Sequence, residues 1–198
     1  MKSRVEGGPT ILAVDRDEFW ELVEGARATV GETVAAEAAE AVARQVVARL
    51  TGLGPATAVE FQLAFDTIND EAYRWDLWAA AYLMQAGCSD DGFDSFRGWL
   101  VAQRRAVWER ALDAPDSLVE VGVDPDDDTV ECEAVVAAAG TAYAAATGEE
   151  EAFWEAIDAA RGDRPEVGGP VGEDFDFDDA AQMRARLPRL AAVHLPAT

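Results

Sequence analysis

The sequence predicts an all-α fold: a single compact multi-helix domain of about seven helices with an acidic, loop-rich C-terminal third. Three observations predict it. Apolar residues recur at helical spacing, as at Val34, Ala38, Ala41, Val42, Val46 and Leu50. Start and stop signals separate the stretches that carry such spacing, among them Asp15, the Gly54-Pro55 pair, the Gly87-Cys88-Ser89 turn and Gly148. Hydrophobic residues make up 49% of the 198 positions, enough for one domain with a substantial core. Alanine supplies much of that share, so the helices should be slim and closely packed.

The elements follow in order. Residues 1–14 begin polar and end in I-L-A-V, a short extended segment. Asp15 opens the first helix, with Glu18 at capping-box spacing and Phe19, Trp20, Leu22 and Val23 as its buried face. A second helix is expected over residues 32–50, ended by Gly52 and Gly54, and Pro55 suits the first turn of a third that reaches Asp70. A fourth covers residues 73–86 and stops at Gly87. Ser89 caps a fifth, with Asp90 and Asp91 in its first turn and Phe93, Phe96, Leu100, Val107 and Ala111 on its core side, ending before Pro115. Residues 113–133 hold nine acids and no base and read as a solvated acidic connection. A sixth helix over residues 129–147 ends at Gly148, and a seventh spans 149–160. Residues 162–172 form a Gly- and Pro-rich loop. The acidic E-D-F-D-F-D-D run then leads into a short basic helix over 179–187, stopped by Pro188. The whole is one domain over 1–198, its core about 15–160, with 162–198 packing on it.

Charge narrows the classes of function. The net charge is −23, and residues 113–180 hold 21 acids against only Arg161 and Arg164. Nucleic acid and anionic membranes both demand a basic footprint, so neither is an expected partner. The charge permits a basic protein or peptide as partner, with solubility alone as the other reading. No apolar run approaches the roughly 20 residues that span a bilayer. The N-terminal M-K-S-R-V-E-G-G-P lacks the apolar stretch of a secretory signal, so the expected localisation is cytoplasmic. Cys88 and Cys132 do not make a disulfide framework, and with His194 as the sole histidine a Cys/His zinc site is not expected. No cofactor or metal is assigned. Lys2 is the one lysine against 15 arginines, which with the abundant alanine suggests a high-GC bacterial coding bias.

The most distinctive stretch runs from Tyr73 to Trp99. It joins three tryptophans and four other aromatics to Arg74, Arg97 and the aspartates Asp76, Asp90, Asp91 and Asp94. Such a mixture is too polar for a plain core and too aromatic for a plain surface. Asp90 and Asp91 suit a helix N-terminus without any ligand. Asp94 and Arg97, three apart, pair along their helix. Three carboxylates in five residues also have the composition of an acid–base or divalent-cation site. Arg74 and Asp76 lie on different faces of their helix, so each is expected to reach the neighbouring one: Arg74 toward Asp91 or Asp94, Asp76 toward Arg97. Two readings stand. In one, the charges lock two helices together. In the other, Arg74, Asp76, Asp90, Asp91, Asp94 and Arg97 line a polar pocket for a small anion or for catalysis, with Trp75, Trp78 and Trp99 as walls. Cys88, next to a helix N-terminus, is a candidate for a lowered thiol pKa. Catalytic residues are not assigned.

The segments Y-R-W-D-L-W-A-A-A-Y and G-C-S-D-D-G-F-D-S-F-R-G-W-L, with F-W-E-L-V-E near the start and D-F-D-F-D-D-A-A-Q-M-R-A-R-L-P-R-L near the end, resemble the signature of a bacterial family of unknown function, domain of unknown function 4240. The resemblance runs from Phe19 to Leu190 and implies no particular reaction. The functional expectation is therefore a non-enzymatic binding or regulatory module that recognises a basic partner through an acidic surface, with the polar-pocket enzyme or small-anion binder as the alternative.

Overall fold

The structure, a computed structural model, describes residues 14–31, 34–124, 130–162 and 168–196. Its regular elements among these residues are all helices. The α-helices are α1 (Arg16–Arg27), α2 (Ala36–Leu53), α3 (Pro55–Glu71), α4 (Trp75–Met84), α5 (Asp90–Gln103), α6 (Arg105–Asp113), α7 (Glu133–Val136), α8 (Ala138–Thr147), α9 (Glu151–Arg161), α10 (Ala180–Arg186) and α11 (Pro188–His194), with a 3-10 helix at Pro115–Val121 between α6 and α7. Among the described residues there are thus eleven α-helices and one 3-10 helix, where about seven helices were expected. None of them is long and apolar enough to cross a membrane.

The larger number comes from breaks within expected helices and from one added α-helix. The expected fifth helix breaks at Arg104, whose backbone at φ 155° and ψ 154° separates α5 from α6. The sixth breaks at Ala137 into α7 and α8. Pro188 begins α11 as well as ending α10, because its fixed φ and missing N–H suit a first helical turn. The acidic connection is not wholly solvated. Pro115 and Leu118 of the 3-10 helix are buried, and the Asp116 carboxylate accepts hydrogen bonds from the Arg189 and Leu190 N–H groups at the start of α11. Gly52 lies inside α2, and Gly54 alone ends it. The extended segment expected over residues 1–14 lies outside the described residues except for Val14, as do residues 125–129 of the acidic run and the start expected for the sixth helix.

Several local signals act as read. The Asp15 carboxylate accepts from the Asp17 and Glu18 N–H groups, and the Glu18 side chain accepts from the Asp15 N–H, closing the capping box. The Ser89 hydroxyl accepts from Gly92 N–H. Asp179, expected inside its helix, instead caps it: its carboxylate accepts from Ala181 and Gln182 N–H and from the Gln182 side chain. Those bonds, the Gln182 side chain first, hold the Asp179 carboxyl below its ordinary pKa. Gly148 ends α8 in the left-handed conformation that the alanines before it would resist.

The helix α2 runs through the middle and packs on α1, α3, α5, α7 and α8. It meets α8 through small side chains: Ala39 and Ala43 of α2 and Ala138, Ala139 and Ala142 of α8 are all buried. Phe19 and Trp20 of α1 pack on Phe61 of α3 and Trp108 of α6. On the other side α11 lies against α4 and the 3-10 helix, and its Leu190, with Met183 and Leu187 before it, joins the same core.

Candidate functional site

The polar–aromatic site forms where the turn before α4, the start of α5 and residues 168–178 meet. Arg74 is the residue before α4, not part of it. Its backbone is extended, at φ −140° and ψ 141°. It runs parallel to Val171, whose N–H donates to Tyr73 O (2.8 Å) and whose carbonyl accepts from Trp75 N–H (3.0 Å). This corrects the expected pairing. Helical spacing does not govern Arg74, so its guanidinium turns onto Asp76 through two hydrogen bonds of 2.9 and 2.8 Å. The pair raises the pKa of Arg74 and leaves Asp91 and Asp94 to other surroundings. Asp76 also accepts from Leu77 N–H and so stays with α4 instead of reaching Arg97.

Arg97 is the buried cation, with 6% of its surface exposed. Its guanidinium sits 4.9 Å from the ring centroids of both Tyr73 and Phe93. It donates to Asn69 O at 3.0 Å and pairs with Asp94 one turn back on α5. Burial lowers its pKa. The Tyr73 hydroxyl donates to Asp90 at 3.3 Å, and burial, followed by the charge of that carboxylate, raises the Tyr73 pKa. Asp90, Asp91 and Asp94 stand at the surface. Among the described residues, no group of three or more His, Cys, Asp or Glu side chains is placed to hold a metal ion.

The rings form a column set by spacing of three along two helices. Trp75 and Trp78 of α4 stack at 5.5 Å and 7°. Trp78 stacks on Phe93 of α5 at 5.0 Å and 8°. Phe93, Phe96 and Trp99 then continue inward. Buried indoles need acceptors: Trp78 Nε1 donates to Cys88 O and Trp99 Nε1 to Val34 O. Trp99 is fully buried, whereas Trp75 and Trp78 are half-buried. Phe177 closes the outer end, edge-on to Trp75 and Trp78 and against Tyr82, whose hydroxyl donates to Asp178 at 2.5 Å. Phe175 meets Phe177 and lies under the Arg186 guanidinium, which also pairs with Glu173. The D-F-D-F-D-D run thus docks both phenylalanines and leaves most of its acids in water. Tyr73, Phe93, Asn69 and Phe177 were not among the candidate residues. The aromatic spacing of three was the available signal for Phe93, but nothing local announced Asn69 O.

Cys88 departs from expectation. Burial, and then the charge of Glu131, push its thiol up to about 12. It precedes the Ser89 cap, whose hydroxyl, not the thiol, accepts from the Gly92 N–H of the first turn of α5. Glu131, held by the Gln85 amide at 3.0 Å, faces a cleft of about 540 Å³ together with Glu40, Ser95, Cys132 and Glu133.

A family model described as a protein of unknown function, DUF4240, matches residues 14–145. The chain belongs to the DUF4240 family. The matched part holds the ring column, Arg74, Asp76 and Arg97, and the cleft between α2 and α7. The DUF4240 match ends before Val171 and Phe177, so the segment that covers the outer rings lies beyond it. No curated protein and no solved structure matches the chain.

Proposed function

We propose that this DUF4240 protein is a non-enzymatic binding module that recognises a basic partner through its acidic surface. One observation carries the reading. The cations of the central cluster each hold a carboxylate already, Arg74 with Asp76 and Arg97 with Asp94, while Glu40, Glu131 and Glu133 face an open cleft. An incoming anion at Arg74 has to displace a two-pronged carboxylate, and at Arg97 it has to enter a ring-lined site that is almost closed to solvent. A cation entering the glutamate cleft displaces less: the neutral Gln85 amide donates to Glu131 at 3.0 Å, and Arg44 stands 3.7 Å from Glu40, a weak surface pair. The charge of residues 113–180 adds long-range attraction toward the same class of partner.

The test is binding of a labelled octa-arginine peptide, followed by anisotropy at about 20 and about 150 mM salt. The E40Q/E131Q/E133Q triple variant should bind more weakly than a charge-matched control, E21Q/E24Q/D91N, which removes three exposed carboxylates elsewhere. Equal loss in the two triples, or wild-type binding no better than to a neutral Gly-Ser peptide at low salt, defeats the reading.

A further inference from the structure

Helix α9 presents a large aromatic side chain to solvent. Trp154 is 61% exposed, although Phe153 and Ile157 on the opposite side of the same helix are buried. At a turn of 3.6 residues, Glu151, Trp154, Glu155 and Asp158 share one side, and all four are exposed. The one base of the helix does not neutralise them, because Arg161 pairs with Asp66 on α3.

This face works against its own helix. Glu151 and Glu155 are four apart, and Glu155 and Asp158 three apart, so both like-charged pairs repel. Asp158 also lies in the last turn, near the negative end of the helix dipole, where a carboxylate is unfavourable. Acids placed only to stabilise α9 would sit in its first turn. A lone exposed indole is ordinary on a protein surface, but this one stands between carboxylates on a single helix face. A guanidinium satisfies both features: its plane stacks on the indole face, and its N–H groups reach the flanking carboxylates.

We propose that the outer face of α9 is a docking surface for an arginine-bearing segment of a basic protein, with Trp154 as the anchor and Glu155 and Asp158 as its charge partners. This rests on the reading that the partner is basic and adds a contact outside the glutamate cleft. Trp154 carries the stacking contribution, so its loss weakens attachment even where net charge is unchanged.

Octa-arginine again serves as the probe. W154A should weaken binding about tenfold, W154F by about twofold or less because a ring remains, and E155Q/D158N about tenfold with a shallower salt dependence. Trp154 is exposed, so far-ultraviolet circular dichroism and the urea midpoint of W154A should match wild type. Peptide binding should also shield Trp154 from acrylamide, an effect absent in W154F. If W154A binds as tightly as wild type while E40Q/E131Q/E133Q still weakens binding, the anchor is wrong and the general reading survives. If wild type shows no salt-sensitive binding, both fall together.

Discussion

The Arg97 guanidinium lies 4.9 Å from the centre of the Tyr73 ring and so ties α5 to the turn that precedes α4. Phe93 offers the same cation a second ring, and Asn69 O an acceptor at the end of α3. Three segments are therefore fixed by one buried charge. Its ion pair contributes less than its surroundings, since 54% of the Asp94 side chain is exposed and water screens the pair.

The consequence is an asymmetry between partners. R97A removes a buried side chain, two ring contacts and a hydrogen bond, and should cost about 3 kcal/mol in urea unfolding. D94A should cost about 0–1 kcal/mol. R97M refills much of the volume without burying a charge and should recover at least half of the R97A loss. Equal damage from D94A and R97A would overturn this account.

Gly98 has a different part. A Cβ at this position in α5 would lie 2.5 Å from Cys132 O and 2.9 Å from Val136 Cγ2. A carbonyl of the main chain cannot swing aside as a flexible side chain does, so the whole 132–136 segment has to move. G98A should destabilise by about 2 kcal/mol, despite the roughly 1 kcal/mol that alanine gains over glycine in a helix. The Cys132 amide, which donates to Ser95 O at 2.8 Å, should lose exchange protection at the same time. A variant as stable as wild type would show that the approach of α7 to α5 is loose.

The parts of the fold that were legible in the sequence are those decided within a few residues. Asp15 with Glu18, Ser89 and the Gly54-Pro55 pair each act on the nearest backbone N–H groups or fix the nearest dihedrals, so their meaning survives without tertiary context. The Arg74–Asp76 pair was misread because Arg74 is extended, and Val171, distant in sequence, pairs with it to keep it so. The breaks at Arg104 and Ala137 carry no proline or glycine, so no local breaker residue marks them in the sequence. The aspartates and arginines at 74–97 stand out in the sequence by composition, but which carboxylate meets which guanidinium depends on distances that spacing along a helix does not give.

Cys88 allows a chemical check of the same lesson. Its thiol, pushed up to about 12 by burial and by Glu131, should react with iodoacetamide at pH 8 at least about a hundredfold more slowly than a free cysteine peptide. A C132S background isolates it. E131Q removes the second cause and should speed alkylation several-fold without approaching the free peptide. Alkylation of native Cys88 at the free-peptide rate would mean that the thiol is neither desolvated nor repelled.

His194 gives the fold a pH dependence of known sign. It ends α11, half-buried beside Met84, Leu118 and Leu190. A helix C-terminus favours the imidazolium, but burial dominates and lowers the pKa from its ordinary 6.5. The unfolded chain therefore binds the proton more readily than the native one. The contribution of His194 to stability is complete above about pH 6.5 and is lost as the pH falls below that value toward the folded pKa. Acidification also neutralises carboxylates across a chain of net charge −23, so the raw curve mixes two effects. The difference between wild type and H194Q isolates one of them. Between about pH 7.5 and about pH 5, wild type should lose stability relative to H194Q in urea unfolding. Parallel curves over that interval would show that the imidazole titrates as freely in the native protein as in the unfolded chain.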